Sequence, residues 1–483
     1  MLNMKNIIAE INKLGYNTYT FDYSIYNNYI ATMLGWYKGR LSGVHDEDVY
    51  NGHKNVHVRY ASLHMAKRVC EDHASLTFNE NVKINIADKD ASEYIIGYDE
   101  LNGVLADNDF WKVGSELYEI TCALGTGAFE IVVDGLKQYN EQLVGGADVN
   151  IKILTHNALE ILPLSWDNNK NIKEVAFVDQ YKIKNDNYID LRLHVLVDGT
   201  YKIVNKTYKV VLDSALTPVK NENIIEVFDT HSDVPWFACL KLPIINNYDI
   251  QAVMGASIYA NATDVLKTID SAFDMLCFEI KSGRKKVFIN KNLLNRNPET
   301  NEPVFPDDAG GKLVFYYVGS DNNTNITDGK DLVSEFNPDL RIDDITKCLE
   351  NNLNYLSNLC GLGNNYYKFV DGTVQKTATE VVSENSGMYR GIRKNELALE
   401  KVLITLVRGI LYASNLCRGT KFNIGTDISV EFDASIIEDK TAIRARELEE
   451  VKAGILPVSY YQQKYYGGLD IKNDDTIKNN EGT

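Results

Sequence analysis

Residues 249–282 read DIQAVMGASIYANATDVLKTIDSAFDMLCFEIKS. The apolar residues Ile250, Met254, Ile258, Ala262, Val265, Ile269, Phe273, Leu276 and Ile280 recur at steps of three and four, which places them on one helical face. The spacing predicts one helix across the whole stretch, about 50 Å long at 1.5 Å per residue. This element, bounded at 246–283, runs into Gly283 and the basic triplet Arg284, Lys285 and Lys286. Lys281, Lys291 and Arg296 lie nearby, and together they form the one local reversal of charge in the chain. Such a cluster reads either as a solvated junction or as a docking patch for an acidic partner or DNA.

Downstream, residues 284–337 read as a compact β-containing insertion. KVFI (286–289) and LVFYYV (313–318) are its strands, with a Pro, Asn and Asp-rich loop between them. A second helix over 338–360 carries the stripe Ile342, Ile345, Leu349, Leu353 and Leu356 and stops at Gly361. GLGNNYYKFVDGTVQK (361–376) follows, with Asn364, Asn365, Tyr366, Tyr367, Lys368 and Phe369 at its centre. It is long for a link between helices, which usually takes about 2 to 8 residues. Thr377-Ala-Thr-Glu380 then has the spacing of a capping box and opens a third long helix reaching about Asn415. That segment and its following turn span 377–427, and a strand (ISVEFD, 428–433), short helices and a polar tail fill 428–483.

Upstream, residues 1–245 divide in two. Up to about residue 125 the pattern is helical, with amphipathic stretches from Arg59 to Leu76 and from Asp109 to Leu124. From Ala128 the period changes to that of strands: AFEIVVDG, VNIKIL, IKEVAFVDQYKI, YIDLRLHVLVDG and TYKIVNKTYKVVL, split by Asp-Gly or Asn-rich turns. The expectation is an antiparallel meander ending near Pro235, and the fold class is α+β.

The chain has 483 residues, 44% hydrophobic and 24% charged, with a formal net charge of −17. That length suits two to four domains, and the acidic balance counts against gripping nucleic acid. The first residues lack a signal peptide's apolar core, and the run 402–416 is too short for a bilayer and holds Arg408, so no membrane partner is expected. Seven scattered cysteines without a CxxC pair fit reduced thiols and a cytoplasmic product. There is no GxxxxGK[ST], GxSxG or HExxH motif, so no catalytic residue and no cofactor is assigned. GTGAFE (125–130) and GLGNNY (361–366) read as turns, because neither joins a strand to a helix as a dinucleotide site requires. His45, His53, His57, His64 and His73 cluster in sequence without a metal-ligand spacing, so no metal site is assigned. Asp343 with Asp344 reads as a solvated helix start.

The order long helix, small β insertion, second helix, loop, third long helix resembles the portal proteins of tailed bacteriophages, particularly long-tailed phages of Gram-positive bacteria. IDSAFDMLCFEIKSGRKKVFI (269–289) looks like that family's stem helix entering its clip. KTATEVVSENSGMYRGIRKNELALEKVL (376–403) looks like the segment after its tunnel loop. VEFDASIIEDKTAIRARELEEVKAGILP (430–457) is similar to its closing strand and crown helices, and WYKGR (36–40) and RYASLHMAKRVCEDHASLTFNE (59–80) agree. The resemblance implies a portal-like α+β fold: a wing with an antiparallel β part, two stem helices, a small α/β clip, a tunnel loop and a helical crown. It implies a non-enzymatic ring of twelve subunits at one capsid vertex of the virion, assembled in the host cytoplasm. Double-stranded DNA would be packaged, retained and ejected through the ring without sequence specificity. Its implied partners are the terminase large subunit and a head-completion adaptor at the clip, and major capsid and scaffolding proteins at the wing. Asn364 to Phe369 would face the DNA, and Arg284, Lys285, Lys286, Lys291 and Arg296 would serve docking at the clip. The alternatives are a virion component without a channel, or a hydrolase using two carboxylates in a β-rich fold.

Overall fold

The computed structural model describes residues 4–16, 23–79, 81–98, 102–139, 142–144, 149–211, 215–220, 224–290, 295–302, 304, 315–318, 333–367, 378–432, 440–458 and 461. Lys291, Lys368, Phe369, the start of the capping box at Thr377 and the polar tail lie outside these residues, as does most of the long clip loop.

The N-terminal part comprises α1 (Met4–Lys13), α2 (Tyr23–Tyr37), β1 (Asp46–Tyr50), β2 (Asn55–Arg59), α3 (Met65–Thr77), β3 (Lys83–Ile86), α4 (Lys89–Ile95), α5 (Val104–Asp107) and α6 (Phe110–Leu124). The helix expected from Arg59 begins only at Met65, because residues 60–64 are neither helix nor strand and Arg59 itself ends the β1–β2 hairpin. Its strands are exposed along nearly their whole length, so they carry little hydrophobic alternation to betray them. Gly125 then closes α6 at φ +88, a conformation open to glycine, and the chain enters a strand directly.

The strands are β4 (Thr126–Asp134), β5 (Lys137–Tyr139), β6 (Gln142–Val144), β7 (Asn150–Asn157), β8 (Ile161–Trp166), β9 (Ile172–Ile183), β10 (Asp186–Val197), β11 (Thr200–Val210), β12 (Leu216–Val219), β13 (Val227–Asp229) and β14 (Phe237–Lys241). From β8 to β12 they form a sequential antiparallel meander, with β13 added to β11. The β10–β11 turn uses Asp198 and Gly199, both at positive φ, as a two-residue hairpin of matching twist demands. The meander does not take in every strand: β14, β4 and β7 form a separate three-stranded sheet.

Side chains alternate across the meander with period two. Ala176, Val178, Leu191 and Leu193 face one way, where Met4, Ile7 and Ile11 of α1 cover them. Val175 and Phe177 face the other way, into the main core shared with α2, α3, α6 and the three-stranded sheet.

One charged cluster staples the two sheets. Glu130 of β4, wholly buried, accepts from His156 Nε2 (2.8 Å) on β7, from His194 Nε2 (2.8 Å) on β10 and from Arg192 Nε (2.9 Å) on β10. Arg192 also pairs with Asp179 of β9, and His156 Nδ1 lies 3.4 Å from the same carboxylate. Burial alone would raise the Glu130 pKa, but Arg192 and the two imidazoles outweigh it and hold the carboxyl well below its ordinary range. Burial likewise opposes charging His156, yet Asp179 and Glu130 raise it to about 9.

The later elements are α7 (Thr263–Ser282), β15 (Lys286–Asn290), β16 (Phe315–Val318), β17 (Val333–Phe336), α8 (Ile342–Leu359), α9 (Ala378–Arg418), β18 (Ile428–Glu431) and α10 (Lys440–Lys452). The first long helix is therefore shorter than its spacing predicts. It starts at Thr263 after a single 3₁₀ turn, and its 20 residues span about 30 Å. Residues 249–259 instead form an irregular plug whose backbone donors bond elsewhere. Gly255 N–H donates to Thr126 Oγ1 (2.8 Å), Ser257 N–H to Tyr29 Oη (2.8 Å) and Ile258 N–H to the Cys122 carbonyl (2.9 Å). A Cβ on Gly255 would sit 2.1 Å from the Gly125 carbonyl oxygen, so the two backbones touch. Val253, Met254, Ala256, Ile258 and Tyr259 are all buried, which explains a hydrophobic pattern that no helix produces.

Between α7 and α8 the described clip residues give three strands, ordered β16-β15-β17, and no helix, so the helical half of the expected α/β clip is not among them. α9 is 41 residues long and lays its C-terminal half over β14 and β4; Gly409 allows the close approach, since a Cβ there would meet Ile131 Cδ1 at 2.6 Å and the Pro235 carbonyl oxygen at 3.1 Å. β18 returns to pair antiparallel with β3.

Replacing Glu130 by Gln should cost about 3–5 kcal/mol, because Arg192 and His156 would keep buried charge without its partner. The His156 contribution is fully present below its unfolded value near 6.5 and is lost as pH rises through about 9. Thermal melts should therefore fall over that window, and His156→Gln should flatten the fall.

Candidate functional site

Beside the two-sheet body lie the paired helices α7 and α8, the strands between them and the turn after α8. Asp270 and Asp274, one helical turn apart on α7, fix the pair to the body. Asp270 accepts from His45 Nε2 (2.7 Å), Ser62 Oγ (3.0 Å) and the Leu63 N–H (2.8 Å), and Asp274 accepts the Ala61 N–H (2.8 Å). His45 Nδ1 accepts the Leu41 N–H (2.9 Å), so the proton facing Asp270 is on Nε2. Sequence reading passed over both aspartates; the available signal was a pair of carboxylates at i, i+4 beside the apolar stripe of Ile269 and Phe273.

At the far end a second lock closes the neck of the clip. Glu279 accepts from Arg341 Nε (3.2 Å), Nη2 (2.9 Å) and its N–H (3.3 Å). These hydrogen bonds lower the Glu279 pKa. A Cβ on Gly283 would lie 2.0 Å from Leu340 Cδ2, so the residue that ends α7 packs closely on the residue just ahead of α8.

The basic residues divide by role. Lys285 pairs with Glu335 and Lys286 lies 5.8 Å over the Phe336 ring, so both brace β15 against β17. Arg296 is exposed and donates to the Asn301 carbonyl in its own turn (3.3 Å). Arg284 is exposed with no ion pair among the described residues.

The turn after α8 is built against the body. Gly361 and Gly363 both take φ +80, and Asn365 takes +61. Gly391 of α9 faces the Gly361 carbonyl, where a Cβ would come within 2.7 Å, so this glycine of SGMYRGI serves close approach. Leu362, Leu76, Met388 and Ile392 share a small buried cluster. Asn364 and Tyr366 are exposed, with Asn364 Oδ1 taking a bond from Asn358 Nδ2 (2.6 Å). Asn365 donates its N–H to Asn354 Oδ1 (2.6 Å). Tyr367 turns inward, its hydroxyl donating to Asp72 Oδ2 (2.8 Å) on α3, while Arg68 holds Oδ1 at 2.8 Å. Burial and the neighbouring Asp72 drive the Tyr367 pKa far up, so it stays a neutral donor. Next along α3, His73 donates from Nε2 to the Cys360 carbonyl (2.9 Å), and burial pushes its pKa down to about 4.

No group of three or more metal-ligating side chains exists among the described residues. Of the clustered histidines, His45 and His73 are buried structural groups, His57 lies against Asp48 (3.1 Å), His53 is exposed, and His64 takes φ 56 before α3. Asp343 and Asp344 are exposed in the first turn of α8. No described helix is long and apolar enough to cross a membrane.

The profile of the family described as phage portal protein, SPP1 Gp6-like, matches residues 7–466. No curated protein sequence matches. Among solved structures, a chain in the virion of a native gene transfer agent particle is 11% identical, with 84% of this chain and 86% of that chain covered and a TM-score of 0.40. A chain from the neck of the native particle computed with C12 symmetry gives 11% identity, 82% and 88% coverage and a TM-score of 0.40.

Tyr367→Phe should lower stability by about 1–3 kcal/mol, since the lost bond is to a charged acceptor. It should also speed proteolysis between 361 and 377. Melts and cleavage rates equal to the unaltered protein would show that the hydroxyl does not anchor the turn.

Proposed function

The chain belongs to the SPP1 Gp6-like family of phage portal proteins, structural components of the virion's portal vertex, and from that premise we propose how its parts work there. The observation that carries the reading is the family match over nearly the whole chain, combined with a helix pair that leaves the body locked at both ends by carboxylates. Twelve copies form a closed ring around a channel, with α7 and α8 as its stem. Double-stranded DNA enters, is held and leaves through the bore.

The clip, residues 284–337, is the docking platform for the terminase large subunit and afterwards for the head-completion adaptor. Lys285 and Lys286 shape its base, and Arg296, with Lys291, belongs to its outer loop. The body formed by residues 1–245 meets major capsid and scaffolding protein. Residues 361–376 line the bore, with Asn364, Asn365, Tyr366, Lys368 and Phe369 toward DNA. Tyr367 is the hinge pin on the body side, because its hydroxyl is already engaged. A net charge of −17 per copy suits a channel that must let a polyanion slide, since walls without clustered Lys and Arg release no counterions and gain no grip.

Light scattering of the purified protein at micromolar concentration should give the mass of a large ring, and micrographs should show a central hole. A stable monomer or dimer would overturn the ring. Trimming Asn364 to Phe369 should leave ring mass unchanged and impair packaging or retention of DNA; capsids filled at the normal rate with stably held genomes would reduce the loop to a connector.

A further inference from the structure

The clip half of α7 turns Asp274 and Glu279 toward partners in its own chain, while the apolar residues Met275, Phe278 and Ile280 point outward. Large apolar side chains grouped on an exposed face mark a surface that a partner covers. Within this chain α8 covers only one side. Ala272 and Glu279 are buried, while Met275, Phe278 and Ile280 are 50%, 65% and 53% exposed. Beyond them Lys281 and Arg284 are exposed and make no ion pair among the described residues.

α8 carries the opposite chemistry. Asp343 and Asp344 in its first turn are exposed and likewise without an ion pair among the described residues, and further along Tyr355 and Leu359 are 60% and 50% exposed. The Glu279–Arg341 bonds and the Gly283–Leu340 contact fix the register of the two helices. Lys281 and Asp343 therefore lie within about one helical turn, ~5.4 Å, of the same height. A lysine or arginine side chain covers that span.

We propose that the outward face of α7 is the docking surface for α8 of a second copy of this chain, with Lys281 and Arg284 of one copy paired to Asp343 and Asp344 of the next. This rests on the ring reading and specifies its contact. A ring needs a heterologous interface, in which two different patches of each subunit meet and the rotation closes. Rotation about an axis along the helix pair carries a copy sideways without changing its height, so a basic patch on one helix meets an acidic patch on the other. The apolar residues Met275 and Phe278 lose their exposure in the same contact. The assignment withdraws Arg284 from the surface offered to the packaging motor.

The test is reversal and swap in the full-length chain, read as the protein concentration needed for half-assembly by light scattering. Lys281→Glu with Arg284→Glu should raise that concentration by at least about tenfold, and Asp343→Lys with Asp344→Lys should do the same. The four-site combination restores opposite signs across the contact and should recover most of the loss. Circular dichroism melts matching the unaltered protein separate assembly from folding. Rings that survive either reversal unchanged, or a four-site variant as impaired as each pair, overturn this pairing while leaving the ring intact. A monomeric unaltered protein overturns the ring and the pairing together.

Discussion

Asp270 carries three hydrogen bonds from outside its own helix, and the placement of everything downstream follows from where those bonds hold α7. His45 comes just before the exposed β1–β2 hairpin, and Ser62 and Leu63 come from the strap between that hairpin and α3, so one carboxylate joins the stem to the body. Asp274 repeats the contact one turn later through Ala61. With α7 held there, the Arg341–Glu279 bonds decide how α8 returns, and α8 in turn delivers the chain to the turn at Gly361. That turn docks on α3 again, through His73 and Asp72. The strap and α3 thus touch both ends of the path, and a shift of the stem reaches the loop through one short piece of helix.

The body and the stem are stabilised in different ways. Between the two sheets, Glu130 gathers two imidazoles and a guanidinium in the middle of an aromatic core that includes Phe177 and Phe237. Burying so much charge gains little net stability over apolar packing, and its use is to specify which strands face each other. The clip half of the stem has no such internal completion. Met275, Phe278 and Ile280 reach solvent in the single chain, and the proposed contact between copies would cover them.

Elements that bury one face against their own chain were legible in the sequence. The stripe Ile345, Leu349, Leu353 and Leu356 describes α8 because α7 and the body lie on that side alone. The meander was legible for the same reason, since alternation records two different environments across one sheet. Residues 249–262 misled because 253–260 are buried without a break while Ile250, the first of the apparent stripe, is exposed, and the helix is prevented by Thr126 and Cys122, which are more than a hundred residues away in sequence. The pairing of β3 with β18 is as remote and had no local sign. At the candidate site the loop and the basic cluster were visible as composition. The inward turn of Tyr367 and the capture of Lys285 and Lys286 within the clip were not, because each depends on a partner from another element.

The stem is clamped to the body by carboxylates that accept backbone amides, and amide hydrogen exchange reads those bonds one by one. In the unaltered protein the Ala61 and Leu63 amides should exchange as slowly as those in the middle of α7, although they lie outside any helix or strand. In Asp270→Ala the Leu63 amide should lose that protection while β9 and β10 keep theirs. Rapid exchange at Ala61 and Leu63 in the unaltered protein, or protection at Leu63 that survives the loss of Asp270, would contradict the clamp and the stem geometry derived from it.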